Sequence, residues 1–157
     1  MSELLYKEEV FQLVGLCMEI HRELGKGHDE VIYKDALVIE LTRAGIPFSR
    51  EKNYEITYKG VILPHYYYAD FVVWDKILFE AKAVEKLTES HIKQLLNYLA
   101  ASKLRVGLLV NFGGDSLEWK KGCFMRNGFH PIHTDGLSKV RENSCNSCPA
   151  LEFLKFA

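Results

Sequence analysis

The stretch YYYADFVVWDKILFEAKAV, residues Tyr66–Val84, decides how the chain is expected to fold. Its two halves are rich in aromatic and β-branched residues and meet at Trp74–Lys76, which predicts two buried strands joined by a tight turn. Three charged residues interrupt these apolar strands, namely Asp70, Glu80 and Lys82. Charges are rare in a core unless something pairs with them, so packing alone does not explain this hairpin.

Strand geometry places these charges relative to one another. If the turn has three residues, Val73 pairs with Ile77 and Asp70 lies opposite Glu80, with Lys82 on the same face as Glu80. Two opposed carboxylates repel each other unless a cation lies between them, and a divalent metal ion is a suitable cation. Two alternatives stay open at this point. Either the face is solvated and Lys82 merely neutralises Glu80, or a two-residue turn removes the direct opposition.

The rest of the chain supplies helices and strands around this hairpin. Residues 8–24 and roughly 29–44 have the apolar spacing of two helices, and a glycine follows each. The strands YEITY and VIL flank a turn at Lys59-Gly60, and with the hairpin above they make three antiparallel strands. Thr88 can cap a third helix that extends to about Ala101, and VGLLVNF has the continuous apolar character of a strand covered on both faces. The predicted order is α, α, β, β, β, α, β.

Composition sets broad limits on the class of protein. With 157 residues and 48% hydrophobic content, the chain is long enough for one domain with its own core, which we expect over residues 1–134, followed by a polar tail over 135–157. We expect an intracellular, cytoplasmic protein with no membrane-spanning segment and no signal peptide. The net charge of -1 gives no overall attraction for nucleic acid, so such binding would need a local basic patch, for example Lys82, Lys86, Lys93, Lys103 and Arg105.

The charged residues of the hairpin belong to a longer pattern. Asp70, Glu80-x-Lys82 and the helical pair Gln94 and Tyr98 together read D…ExK…QxxxY. This pattern resembles the PD-(D/E)XK nuclease superfamily, in its RecB-like branch. The resemblance implies a restriction-endonuclease-like α/β fold with the core order αβββαβ, in which helices flank a mixed central sheet.

A second pattern upstream points to the same group. The segment Gly27-x-x-Glu30-x-x-Tyr33 resembles the namesake motif of the GxxExxY protein family, which is assigned to that superfamily. The resemblance extends over about residues 21–113. The sequence departs from the superfamily pattern at Ala69, where a proline often precedes the aspartate, but that position varies among members.

The resemblance also implies roles for individual residues. Asp70 and Glu80 resemble carboxylate ligands of one or two Mg²⁺ or Mn²⁺ ions, with the carbonyl of Ala81 as a further ligand, and Glu30 resembles the helical acid that completes the metal site. Lys82 matches the lysine that orients an attacking water or offsets charge in the transition state. The remaining pair, Gln94 and Tyr98, matches the helical residues that position the site and the phosphate backbone.

Taken one by one, several of these residues have simpler interpretations. Glu30 in the first turn of a helix interacts favourably with the helix dipole without any metal. Gln94 and Tyr98 are spaced like an ordinary polar stripe on an amphipathic helix. Because all of them occur in one order and on suitable elements, we interpret the set as a metal-dependent nuclease site.

The sequence therefore predicts a metal-dependent nuclease that acts on DNA in preference to RNA, with helicase or DNA repair proteins as partners. The alternative is a catalytically silent module that keeps the fold and binds nucleic acid or another protein.

Histidines and cysteines form a separate group of candidates. His21 and His91 lie near the predicted site on helices and are kept outside the catalytic set. Cys145-x-x-Cys148 has the spacing of metal ligands or of a redox pair, and Cys17 and Cys123 could complete a set of four. Free thiols are the favoured interpretation, because Cys17 lies on an apolar helix face and a single CxxC is a weak signal.

Overall fold

The computed structural model of the protein describes residues 5–124. The helices are α1 (Lys7–Leu24), α2 (Glu30–Arg43) and α3 (Glu89–Ser102), and the strands are β1 (Phe48–Tyr58), β2 (Val61–Val73), β3 (Ile77–Lys82), β4 (Val106–Asn111) and β5 (Glu118–Cys123). All seven predicted elements are found in the predicted order, followed by the additional strand β5. Residues 125–134 of the predicted domain, and the predicted tail, lie outside the described residues.

The five strands form one mixed sheet in the order β1-β2-β3-β4-β5. The strands β3 and β4 run parallel and are connected through α3, whereas the other neighbouring pairs are antiparallel. This topology confirms the expected α/β fold with a mixed central sheet flanked by helices. The strand β5 escaped prediction because EWKKGC, at the edge of the sheet, lacks the apolar pattern by which a buried strand is recognised.

Helices cover both faces of the sheet and divide the core in two. Leu13 of α1 and Leu37 of α2 belong to one buried cluster together with Phe79 of β3. Leu95 of α3 belongs to a second cluster together with Leu78, the neighbour of Phe79. Because successive residues of β3 enter opposite clusters, both faces of this strand are buried, which explains its continuous apolar sequence.

The turn between β2 and β3 has the length that the predicted opposition of Asp70 and Glu80 requires. Val73 pairs with Ile77, so the turn has three residues, and the two-residue alternative is wrong. Trp74 and Asp75 both have left-handed backbone angles, with φ of 54° and 53°, and the Lys76 N–H donates to the Val73 carbonyl at 3.1 Å. This tight turn fixes which residues of β2 and β3 face each other.

The alternation of side chains along β2 changes phase at Asp70. Ala69 and Val72, three positions apart, both belong to the cluster beneath α3, whereas Phe71 belongs to the cluster beneath α1 and α2. In the neighbouring strand, Glu51 has a left-handed φ of 53°, and it falls between the residues of β1 that pair with Phe71 and Ala69. Asp70 therefore does not simply share a face with Val72, as regular alternation would predict.

Candidate functional site

The acids of the hairpin are connected across β2 and β3 just beyond the last paired residues, Phe71 and Phe79. The carboxylate of Glu80 accepts a hydrogen bond from the backbone N–H of Asp70 at 3.2 Å. The carboxylate of Asp70 accepts one from the backbone N–H of Ala81 at 2.9 Å. Each acid thus accepts a hydrogen bond from the backbone of the opposite strand. These two hydrogen bonds hold the carboxylates of Asp70 and Glu80 close together.

Glu80 is a carboxyl group inside the core, with only 3% of the residue exposed. Burial, followed by the negative charge of Asp70, raises the pKa of Glu80 from 4.5 to about 8. The Asp70 N–H and the positive charges of Lys82 and Lys34 act in the opposite direction but are too weak to restore the ordinary pKa. Glu80 therefore favours its protonated form near neutral pH unless a further cation approaches it.

Lys34 on α2 is the principal residue of this site that sequence reasoning missed. Its ammonium lies 2.6 Å from Oδ1 of Asp70 and 3.1 Å from Oε1 of Glu30. The spacing of Lys34 four residues after Glu30 was a visible signal for the second contact, because residues four apart lie on one side of a helix. The contact with Asp70 could not be found in this way, since it depends on how α2 packs against the sheet.

Lys82 ends β3 beside the acids, and the segment that follows it is tightly held. The backbone carbonyl of Lys82 accepts the N–H of Phe112 at 2.8 Å. The fully buried Asn111 side chain donates to the carbonyl of Val84 and accepts its N–H, both at 2.9 Å. At Gly113 an added Cβ would lie 2.3 Å from the Val84 carbonyl oxygen, so only glycine fits there. Asn111, a polar residue in an apolar strand, was a signal that sequence reasoning did not use.

Gln94 and Tyr98 lie next to each other on α3 and border a polar cleft. The Gln94 side-chain amide donates to the Tyr98 hydroxyl at 3.0 Å, and the Tyr98 ring lies 4.9 Å from that of Tyr67 on β2. Burial, followed by the negative charge of Glu80, raises the pKa of Tyr98, so the hydroxyl is electrostatically linked to the acids. The cleft has a volume of about 390 Å³ and is lined by Tyr67, Ser90, Lys93, Gln94, Asn97 and Tyr98.

The upstream motif divides into one residue at the acids and two that shape the turn before α2. Glu30 is the residue that meets Lys34. Gly27 has a φ of 100°, which favours glycine. The fully buried Tyr33 donates its hydroxyl to the Gly25 carbonyl at 2.7 Å, and its ring stacks on Phe112 at 4.7 Å. Tyr33 thus fastens the turn between α1 and α2 to the end of β4.

The histidines and Cys17 have structural surroundings. Nε2 of His21 lies 3.0 Å from the Gly114 carbonyl, and Nδ1 of His91 accepts the Thr88 N–H at the start of α3. Cys17 is a buried free thiol, and burial raises its pKa, in agreement with its place on an apolar helix face. The Cys145 and Cys148 pair lies outside the described residues.

Comparison with protein families agrees with this arrangement. The family model of the PD-(D/E)XK nuclease superfamily matches residues 7–122, which include every candidate site residue named above. The chain belongs to the PD-(D/E)XK nuclease superfamily. Nucleases of this superfamily generally use divalent metal ions.

Solved structures and curated sequences add little to the superfamily assignment. The crystal structure of a protein named SSO0001 aligns with a TM-score of 0.48 and 20% sequence identity, and the alignment covers 74% of this chain. The chain spans 58% of the length of that protein. No curated protein matches the sequence. In the part of the chain that the structure describes, no helix is long and apolar enough to cross a membrane.

The donor groups of this superfamily member fit a hard divalent ion, although they do not form a closed cage. Carboxylate oxygens are the preferred ligands of Mg²⁺ and Mn²⁺, and the buried Glu80 carboxyl needs a nearby cation to ionise at neutral pH. Within residues 5–124, no three His, Cys, Asp or Glu side chains are grouped so that they could hold an ion by themselves. The ammonium of Lys34 lies between Glu30 and Asp70 and contacts both carboxylates.

Proposed function

We propose that this PD-(D/E)XK superfamily member hydrolyses phosphodiester bonds in nucleic acid, DNA in preference to RNA, with Mg²⁺ or Mn²⁺ bound at Asp70 and Glu80. The observation that carries the proposal is the pair of carboxylates bridged across β2 and β3, one of them almost fully buried. A domain that only binds nucleic acid does not need a buried acid whose ionisation is unfavourable. A metal site needs such an acid as a ligand, and the bound ion stabilises the ionised form.

Each candidate residue has a role in this proposal. Asp70 and Glu80 would hold the ion, the Ala81 carbonyl would be a further ligand, and Glu30 would be the additional acid from α2. When bound, the ion supplies a water of lowered pKa and positive charge beside the phosphate. Lys82 orients the attacking water or offsets the negative charge that develops on the phosphate.

The cleft beside α3 is the place where we propose that the nucleic acid strand lies. Gln94 and Tyr98 position the phosphate backbone, supported by the hydrogen bond between them. Lys93 in the same cleft adds a positive charge suited to a phosphate, and the Tyr67 ring offers a surface on which a base can stack. The cleft and the acids are linked through Tyr98, whose pKa responds to Glu80.

The finer assignment rests on sequence resemblance. The Gly27, Glu30 and Tyr33 spacing supports membership of the GxxExxY family, and the D…ExK…QxxxY pattern supports the RecB-like branch. From that resemblance we propose a role in DNA repair alongside helicase or repair proteins, and a cytoplasmic location.

Cleavage of a mixed set of substrates tests the proposal. The purified protein and Glu80→Gln are incubated with single- and double-stranded DNA and RNA, labelled at either end, in Mg²⁺, in Mn²⁺ and in EDTA. We expect the parent protein to cut DNA only when a divalent ion is present, and Glu80→Gln to be inactive. Equal cleavage by both proteins would reject the assignment of the site. Binding of nucleic acid by the parent without any cleavage would instead favour the silent binding module.

A further inference from the structure

The feature that the superfamily assignment does not explain is the ammonium of Lys34. It lies between two of the three candidate acids, 2.6 Å from Oδ1 of Asp70 and 3.1 Å from Oε1 of Glu30. Only 19% of the Lys34 side chain is exposed, so these contacts are largely shielded from water. Shielded ion pairs are stronger than the exposed pairs common on helix surfaces.

The Lys34 ammonium binds the Asp70 carboxylate oxygen that a metal ion would need as a ligand. Oδ2 of Asp70 already accepts the Ala81 N–H, and Oδ1 is bound to Lys34. An ion held by Asp70 and Glu30 would have to compete with this ammonium for Oδ1 of Asp70 and for Oε1 of Glu30. Because a carboxylate oxygen in contact with an ammonium is a poorer ligand for a second cation, Lys34 weakens ion binding for as long as it stays in place.

The lysine side chain is suited to be displaced. An ammonium is a compact charge on a flexible four-carbon stem, so it can leave one carboxylate without a change in the backbone. The helix α2 holds Lys34 at a fixed distance from Glu30, four residues earlier, so the ammonium stays close to the site after it is displaced.

We propose that Lys34 is an internal cation that competes with the divalent ion for Asp70 and Glu30 and thereby sets the ion affinity of the site. This inference rests on the proposed function, because it requires that Asp70 and Glu30 bind an ion. In the ion-free protein Lys34 neutralises the acids and stabilises the fold. In the ion-bound protein the ammonium has released Asp70 Oδ1 and lies next to the site.

Direct titration with Mn²⁺ tests the competition without relying on cleavage. The dissociation constant for Mn²⁺ is measured by calorimetry, and free Mn²⁺ by electron paramagnetic resonance, for the full chain and for Lys34→Met. Lys26→Met is the matched control, since Lys26 also forms an ion pair with an aspartate, Asp115, but both residues are exposed and belong to a different ion pair. We expect Lys34→Met to bind Mn²⁺ at least about tenfold more tightly than the parent, because a competing charge has been removed from a ligand oxygen. Lys26→Met should match the parent.

Thermal unfolding gives a second readout. In EDTA, Lys34→Met should unfold at a lower temperature than the parent, because the acids are left without their cation. Saturating Mn²⁺ should raise the unfolding temperature of Lys34→Met more than that of the parent. Lys34→Gln, which keeps a polar side chain, is measured in the same way and carries the test if Lys34→Met does not fold.

The outcomes separate this inference from the proposed function. Unchanged or weaker Mn²⁺ binding by both Lys34 variants, with binding by the parent intact, would overturn the competition and leave Lys34 as a structural ion pair. Failure of Mn²⁺ to bind the parent and every variant would overturn the metal site itself. Tighter binding by the Lys34 variants alone supports both.

Discussion

The Glu80 carboxylate accepts the backbone N–H of Asp70 at 3.2 Å, so the buried acid of β3 is tied to the residue whose own charge opposes its ionisation. A single hydrogen bond does not offset burial and a neighbouring negative charge. Without a divalent ion, the site therefore keeps a proton on Glu80 at neutral pH. A bound ion would release that proton.

The raised pKa of Glu80 predicts how the stability of the ion-free protein depends on pH. Between 4.5, its ordinary pKa, and about 8, the folded state holds a proton that the unfolded state has lost. The free energy of unfolding must then decrease as pH rises through this window, and below it the penalty is absent. We expect a decrease on the order of a few kcal/mol between pH 5 and pH 9, measured by urea unfolding in EDTA.

Glu80→Gln is the control for that measurement. The amide has the same shape as the acid and can still accept the Asp70 N–H, but it does not titrate. The decrease in unfolding free energy should be much smaller in Glu80→Gln, and the variant should be more stable than the parent at pH 9. An equally steep decrease in both proteins would assign the pH dependence to other groups.

Lys82 should affect turnover and not ion binding. We expect Lys82→Met to bind Mn²⁺ while its cleavage rate falls by about 10²-fold, because a charge that acts on the reacting phosphate is lost. Lys59→Met removes an exposed lysine at the turn between β1 and β2, outside the candidate basic patch, and should cut at the parental rate. If Lys82→Met cuts as fast as Lys59→Met, Lys82 has no part in the reaction.

The hydroxyl of Tyr33 should contribute to stability. Tyr33→Phe leaves the Gly25 carbonyl without its 2.7 Å partner next to a fully buried ring. The loss of this part-buried hydrogen bond should cost about 0.5–1.5 kcal/mol, which urea unfolding can measure. Tyr58→Phe, at a residue that is 60% exposed, should change the unfolding free energy by less than about 0.5 kcal/mol. Equal effects would mean that the Tyr33 hydroxyl is not fastening the turn.

Two glycine substitutions should have opposite effects. Gly113→Ala places a Cβ against the Val84 backbone, so the segment after β3 must shift and we expect a loss of about 1–3 kcal/mol together with slower cleavage. Gly15→Ala lies on α1, where a Cβ meets nothing within 4 Å, and should raise stability by about 0.5–1 kcal/mol. Circular dichroism melts of both variants test this contrast. A neutral Gly113→Ala would show that the close approach to Val84 is not required.

The sequence was sufficient for the hairpin because its register depends on local features. Alternation and a three-residue turn correctly predicted that Val73 pairs with Ile77. The start of β1 at Phe48, six residues before the predicted strand, and the whole of β5 were missed, because polar edge strands carry little hydrophobic signal.

The candidate site was only partly predictable for a different reason. Asp70 and Glu80 lie on one hairpin, so their proximity follows from local pairing. The contact of Lys34 with Asp70, across 36 residues, depends on the docking of α2. The hydrogen bonds between Asn111 and Val84, which are 27 residues apart, depend on the parallel pairing of β3 and β4. Neither arrangement leaves a periodic signal in the sequence.

The break in the alternation of side chains at Asp70 affects how natural selection acts on this part of the sheet. A non-glycine residue in the left-handed region, such as Glu51 with its φ of 53°, costs about 1 kcal/mol or more, so a regular strand would be easier to maintain. A regular strand would also turn Asp70 toward α3, away from Lys34 and Glu30. Selection that keeps the Asp70 side chain directed toward Lys34 and Glu30 would therefore oppose selection for stability. The residue with the unfavourable backbone angle belongs to β1, a strand that supplies none of the candidate site residues.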